Sequence, residues 1–315
     1  MNDTGTDAHH HRKEAEAVTR KTILHMLTPL RQMSPFDVNM ALDAGYDAVV
    51  PYTDVGLSDV GNLVQDAIFS RPPDAGVATG IFLAGKDAPT ALDMLDAARK
   101  AMVPPFEISV FADPAGSFTT AAAMVAKVEK ALARHYDRTL ADVSVAIFGA
   151  TGVVGYCTAV IAAKEGARVT IVGHDGLRRV EDIASSIKER FGVTVTPADG
   201  SDDAKKGAAI EGANVLLAAA KAGVQVISSA QLRNAPDLLV AADVNAVPPA
   251  GIEGLKVNAN GEPLEGTRAI GIGPLSIGNV KYKTQSGLFV RMLKAEKPII
   301  LDFQDAFSLA RDLAK

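Results

Sequence analysis

Residues 143–173 read VSVAIFGATGVVGYCTAVIAAKEGARVTIVG, and this stretch decides the fold. An aliphatic run, Val143–Phe148, passes straight into Gly149, Gly152 and Gly155. A helix-length segment follows, and a second aliphatic run ends at Val172. A strand, a glycine turn, a helix and a strand within about thirty residues form the unit that holds dinucleotides on open parallel sheets. Each glycine has its own task. Gly149 permits the tight turn, Gly152 lets the backbone approach a pyrophosphate, and Gly155 lets the helix pack closely on the strand. Thr151, Val153 and Val154 complete the turn and the first helical amides, whose unpaired N–H groups suit phosphate. The spacing is G-x-x-G-x-x-G. Alone it says little, but inside this strand–turn–helix–strand frame it is specific.

The tip of the second strand selects the cofactor. An acid there grips the ribose of NAD, and an arginine accepts the extra phosphate of NADP. Here the residues are Gly173-His174-Asp175-Gly176-Leu177-Arg178-Arg179, with no acid at the tip itself and two arginines close behind. NADP is favoured, with Arg178 as the candidate phosphate partner. Asp175 either serves a ribose or caps the next helix, so NAD stays open. Further strands are expected at Val193–Thr196, Asn214–Ala218 and Leu238–Ala242. Ligands on such sheets sit at the carboxyl ends of the strands. Ala219 there is small enough to admit a dinucleotide. Asp243 and Asn245 are polar candidates, with a local Asx-turn as the alternative.

The preceding half also alternates. Strands are expected at Thr22–Leu27, Asp47–Pro51, Gly80–Ala84 and Ile108–Ala112. The first helix has Ser34 as N-cap, Pro35 in its first turn and Gly45 as its stop. After the fourth strand, DPAGSFTT (113–120) leads into an alanine-rich helix ending near Tyr136. Repeated strand–helix units imply a parallel sheet. The fold class expected is therefore α/β: two α/β domains, the second a Rossmann-type doubly wound sheet. The expected units are 21–137, completed by a helix at 302–315, and 138–301. Residues 247–278, rich in Gly and Pro, read as loop. Residues 1–20 read as a disordered extension carrying His9, His10 and His11.

A chain of 315 residues suits two domains, and 48% hydrophobic with 22% charged residues is ordinary for a globular protein. The formal charge of −5 and the lack of a basic run argue against nucleic acid. Cys157 is the sole cysteine, so no internal disulfide exists. It reads as a small buried helix residue. No apolar leader or membrane span is evident, and a cytoplasmic location is expected. There is no Ser-His-Asp, paired-carboxylate or zinc pattern, and no metal is expected.

Six segments together resemble the bacterial methylene-tetrahydromethanopterin dehydrogenases. They are HMLTPLRQMSPFDVNMALDAGYD (25–47), FADPAGSFTTAAAMV (111–125), VAIFGATGVVG (145–155), VGHDG (172–176), ADVNAVPPAGI (242–252) and GIGPLSIGNVKYKTQ (271–285). The likeness is nearer the branch that uses either nicotinamide than the branch that also accepts tetrahydrofolate.

The resemblance implies reversible hydride transfer from methylene-tetrahydromethanopterin to NADP or NAD, within one-carbon metabolism and in a homo-oligomer. It implies a pterin site in the cleft between domains. Asp113 is the first choice for a carboxylate beside the forming cation, and Lys281 is the second catalytic candidate. Asp37, Asp43, Ser117, Thr119 and Thr120 are implied substrate contacts. Such chemistry needs orientation and charge stabilisation rather than a proton-abstracting base. Two alternatives remain: a methylene-tetrahydrofolate dehydrogenase, and a dinucleotide-sensing regulator without turnover.

Overall fold

The structure, a computed structural model, describes residues 20–314. The extension through residue 19, with its three histidines, lies outside the described residues.

The chain opens with β1 (Ile23–Leu27), α1 (Pro35–Ala44), β2 (Ala48–Tyr52), α2 (Leu57–Phe69) and β3 (Thr79–Leu83). It continues through α3 (Ala88–Ala101) and β4 (Ser109–Ala112) to α4 (Ser117–Tyr136). The local signals act as their chemistry dictates. Ser34 Oγ accepts from the Asp37 amide, Pro35 occupies the first turn, and Gly45 closes α1 at φ 112°. Asp87 caps α3 by accepting from Thr90 N at 2.8 Å. The strands pair in parallel, β2 on β1, β1 on β3 and β3 on β4. The order therefore changes direction between β1 and β3, which opens a crevice at their carboxyl ends.

The second series is β5 (Ser144–Phe148), α5 (Val153–Lys164), β6 (Arg168–Gly173), α6 (Arg178–Phe191) and β7 (Thr196–Asp199). It is followed by α7 (Asp203–Ile210), β8 (Val215–Ala218), α8 (Ser229–Arg233) and β9 (Val240–Asp243). The third of these strands starts three residues later than expected. Gly192 ends α6 in the left-handed region at φ 70°, and the register Thr170↔Thr196 to Gly173↔Asp199 sets β7 beside the carboxyl half of β6.

The span 247–278, expected to be loop, carries β10 (Asn260–Pro263) and β11 (Ile270–Ile272). β11 joins β9 in parallel and β10 pairs with it antiparallel. Strands of three and four residues, with Gly261 and Gly271 inside them, are too short to show a period. The complete sheet runs β10-β11-β9-β8-β5-β6-β7, a doubly wound order whose switch point lies between β5 and β8.

The chain then returns earlier than expected. α9 (Pro274–Leu293), which the sequence placed in the second unit, packs on the first sheet. Its Phe289 ring sits 5.3 Å from both Phe82 and Phe111 and edge-on to Tyr46. β12 (Ile300–Leu301) pairs with β4, giving the first sheet the order β12-β4-β3-β1-β2, and α10 (Phe303–Leu313) ends the chain. The boundary expected after residue 301 therefore moves to Pro274, because aromatic packing, invisible in the linear pattern, decides where α9 belongs. α5 is buried on nearly every side, Cys157 included, and one continuous core joins the two sheets.

Candidate functional site

β5 delivers the chain to Gly149 at φ 90°, directly beside the end of β8. A β-carbon on Gly149 would lie 2.4 Å from Ala219 O, and one on Gly155 would lie 2.4 Å from Gly149 O. Both positions are closed to side chains by the protein's own backbone. Gly152 differs: a β-carbon there would meet nothing nearer than Gly149 O at 3.4 Å. Packing explains two of the three glycines, and the open space over Gly152 is what an approaching pyrophosphate needs. Thr151, Gly152, Val153 and Val154 line a cleft of about 690 Å³, and Ala219 lines it beside the turn. The residues present fit a dinucleotide.

At the far end the cleft is lined by His174, Arg179 and Lys206. Gly173 is held to glycine because its β-carbon would meet Gly176 O at 2.2 Å. Arg178, the sequence candidate, is exposed and does not line the cleft; Arg179 does. One helical step of 100° separates the two, and only the packed helix fixes which faces inward. Asp175 directs its carboxylate to Arg179 at 3.1 Å, which holds it below the usual carboxylate range. Asp243 and Asn245 are not cleft residues. Asp243 is buried and accepts from the amides of Asn245, Gly251 and Ile252. Asn245 accepts from Gly223 N and Val247 N and donates to Pro249 O. Both staple the loop after β9, since a buried carboxylate in reach of free amides satisfies them first.

A second cavity, about 570 Å³, opens at the carboxyl ends of β1 and β3 and is lined by Thr28, Arg31, Gln32, Asp37 and Lys86. Lys86 and Ala115 line both spaces, so the two adjoin. Ala115 sits at φ 52°, in a left-handed conformation uncommon for a residue with a β-carbon. Asp37 is 1% exposed. Its Oδ1 accepts from Gln285 Nε2 at 2.7 Å, while Oδ2 has no partner among the described residues. Burial pushes this carboxyl up, and Gln285 and Lys281 pull it partly back. Lys281 donates to Gln285 Oε1 at 2.6 Å and lies 3.9 Å from the centre of the Phe36 ring. Burial lowers its amine, opposed by the charges of Asp113 and Asp37.

Asp113, the first-choice catalytic carboxylate, is 0% exposed and its oxygens are occupied. It accepts from Phe118 N, Thr119 N and the Thr119 hydroxyl, the last at 2.7 Å, and so anchors the start of α4. Burial raises its carboxyl to about 6. It lines neither cavity, and its charge is felt at Lys281. Ser117 lines the dinucleotide cleft. The Thr119 hydroxyl is spent on Asp113 and the Thr120 hydroxyl donates to Gly116 O, and neither residue lines the two cavities. Asp43 is exposed on the last turn of α1 and lines neither cavity.

The sequence reading missed Lys86, Lys206, Arg31 and Gln285, and of the two arginines it noted it chose Arg178 over Arg179. Lys86 stands three residues past β3, where the carboxyl-end rule points. Gln285 is one turn from Lys281, the spacing at which helical side chains meet.

The model of the family described as methylene-tetrahydromethanopterin dehydrogenase, N-terminal, matches residues 35–115. The chain is 55% identical over 294 residues to the NAD(P)-dependent methylenetetrahydromethanopterin dehydrogenase of Methylorubrum extorquens, covering 93% of this chain and 99% of that one. It is 32% identical over 281 residues to the bifunctional protein MdtA of the same organism, covering 89% and 95%. Among solved structures, shikimate 5-dehydrogenase of Listeria monocytogenes, in complex with shikimate and NAD, superposes with a TM-score of 0.51 at 15% identity over 93% of this chain and 96% of that one. Malic enzyme of Entamoeba histolytica gives 0.54 at 14% identity, covering 93% and 75%. These two likenesses show the fold alone. The extent of the identity to the Methylorubrum dehydrogenase settles the relationship: the chain belongs to the family of NAD(P)-dependent methylene-tetrahydromethanopterin dehydrogenases.

Proposed function

We propose that the protein catalyses reversible hydride transfer from methylene-tetrahydromethanopterin to NADP or NAD, giving methenyl-tetrahydromethanopterin. The observation that carries this reading is the junction of two cavities at Lys86 and Ala115, one over the glycine turn and one over the buried Asp37.

The glycine turn, with the amides that begin α5, holds the diphosphate, and Ala219 leaves room beside it. A nicotinamide bound there supplies the hydride acceptor. The pterin occupies the cavity at the ends of β1 and β3, in the part of the chain we assign to substrate. The methenyl product is a cation spread over two nitrogens, so a site that favours positive charge favours the reaction. Asp37 offers its free oxygen to that charge. Gln285 fixes the rotamer of Asp37, and Lys281 fixes Gln285. Asp37, Asp113 and Lys281 together carry charges of −2 and +1 when ionised, a net −1 that a product cation neutralises. Removing the cluster from water strengthens the effect.

The reading includes a cytoplasmic, homo-oligomeric enzyme of one-carbon metabolism that takes small molecules rather than nucleic acid. The net charge of −5 is in keeping with that. No helix among the described residues is long and apolar enough to cross a membrane.

The test is an absorbance assay of nicotinamide reduction with methylene-tetrahydromethanopterin and each cofactor, run beside methylene-tetrahydrofolate. Reduction with the methanopterin is expected with both nicotinamides. No reduction at saturating substrate overturns the reading, and a preference for the folate changes the substrate.

A further inference from the structure

We propose that Arg179 and Lys206 form the clamp for the 2′-phosphate of NADP, and that Asp175 is the counter-ion that holds Arg179 when NAD is bound. The inference rests on the reading of the glycine cleft as a dinucleotide site and explains how one site accepts both forms.

The geometry is specific. Arg179 Nη1 lies 3.1 Å from Asp175 Oδ2, with the side chains 54% and 42% exposed. A pair so open to water is worth little. A phosphate, doubly charged and matched to the guanidinium fork, is the better partner. Exchanging Asp175 for phosphate therefore costs little.

Asp175 itself does not line the cleft, whereas His174 and Arg179 do. A carboxylate that is not part of the lining, and whose Oδ2 is already turned onto Arg179, is badly placed to grip a ribose within the cleft. The second cation comes from the next strand end. Gly200, whose β-carbon would meet Val172 Cγ1 at 2.4 Å, donates its amide to Gly173 O at 2.8 Å. This ties the ends of β6 and β7 together and brings α7 to the cleft. Of its two adjacent lysines, Lys205 is bound to Asp199 at 2.7 Å. Lys206 lines the cleft, with only a 3.5 Å pairing to an Asp203 that is 90% exposed.

A ribose-gripping acid and a counter-ion respond oppositely to neutralisation, which makes the proposal testable by binding alone. NADPH and NADH are titrated calorimetrically into the full chain without pterin, for the parent and for Arg179→Ala, Lys206→Ala and Asp175→Asn. Arg179→Ala is expected to weaken NADPH by about tenfold or more while NADH stays within about twofold. Lys206→Ala weakens NADPH several-fold with NADH unchanged. Asp175→Asn tightens NADPH several-fold and leaves NADH within about twofold. Loss of NADH binding in Asp175→Asn overturns the counter-ion role and makes Asp175 the ribose ligand. Equal losses of both nucleotides in Arg179→Ala, or none in any variant, overturn the clamp while the cleft reading survives. If neither nucleotide binds the parent chain, the cleft reading and the clamp fall together.

Discussion

Gln285 donates its side-chain amide to Asp37 Oδ1 at 2.7 Å across 248 residues of sequence, locking α9 to α1 beside the cavity that Asp37 lines. The bond fixes one oxygen of a buried carboxylate and leaves the other, Oδ2, without a partner among the described residues. An unsatisfied buried acceptor destabilises the folded state. The proposed pterin cation would complete it.

Asp37→Asn keeps an acceptor for Gln285 and deletes the charge. We expect kcat/KM to fall by about 10²- to 10³-fold, the scale for loss of one charge-stabilising group, with the melting temperature unchanged or higher. Steady-state kinetics beside thermal unfolding separates the two effects. Activity within threefold of the parent would remove Asp37 from the mechanism.

Asp113 titrates at about 6 in the folded chain, above its ordinary value of 3.8. A raised acid favours the folded state below the unfolded value and gives up that contribution as pH rises through about 6. In the window from about 4 to 6, Asp113 therefore makes stability decline with pH, and Asp113→Asn should flatten that decline. The same ionisation adds negative charge behind Lys281. kcat/KM of the parent should therefore rise through about 6, and this limb should vanish in the variant. An identical pH–rate profile in both proteins refutes the electrostatic role.

Gly152 and Gly155 should respond differently to the same methyl group. Gly155→Ala forces a β-carbon to within 2.4 Å of Gly149 O and should cost about 1–3 kcal/mol of stability. Gly152→Ala has room in the protein and should fold within about 0.5 kcal/mol of the parent, yet lose at least tenfold in NADPH affinity. Urea denaturation with a binding titration reads both. Undiminished binding in Gly152→Ala contradicts the diphosphate site.

Ala115 holds φ 52° at the junction of the two cavities. A β-carbon in this conformation costs about 1–2 kcal/mol, and glycine returns part of that in unfolded-state entropy. Ala115→Gly should raise stability by up to about 1 kcal/mol. A shift of the urea midpoint to lower concentration would show that the turn is unstrained.

The α/β class and the glycine turn were legible because both are local. Strand and helix periods, caps such as Ser34 and Asp87, and the triplet 149–152–155 are set by a residue and its near neighbours. Short strands left no such trace. β11 is three residues and β12 two, and each exists only because an adjacent strand supplies its hydrogen bonds.

For the candidate site the division is the same. The sequence by itself determined that a glycine turn between strand and helix begins at Gly149, and its family resemblance pointed to Asp37 and Lys281. Only the tertiary structure decided that Asp113 and Asp243 are sealed among backbone amides, that Arg179 rather than Arg178 faces the cleft, and that α9 belongs to the first sheet. The reason is physical. A side chain's role depends on which groups the fold aims at it and how much water is excluded, and the linear pattern shows neither the nearby amides that seal Asp113 and Asp243 nor the distant Gln285 that reaches Asp37.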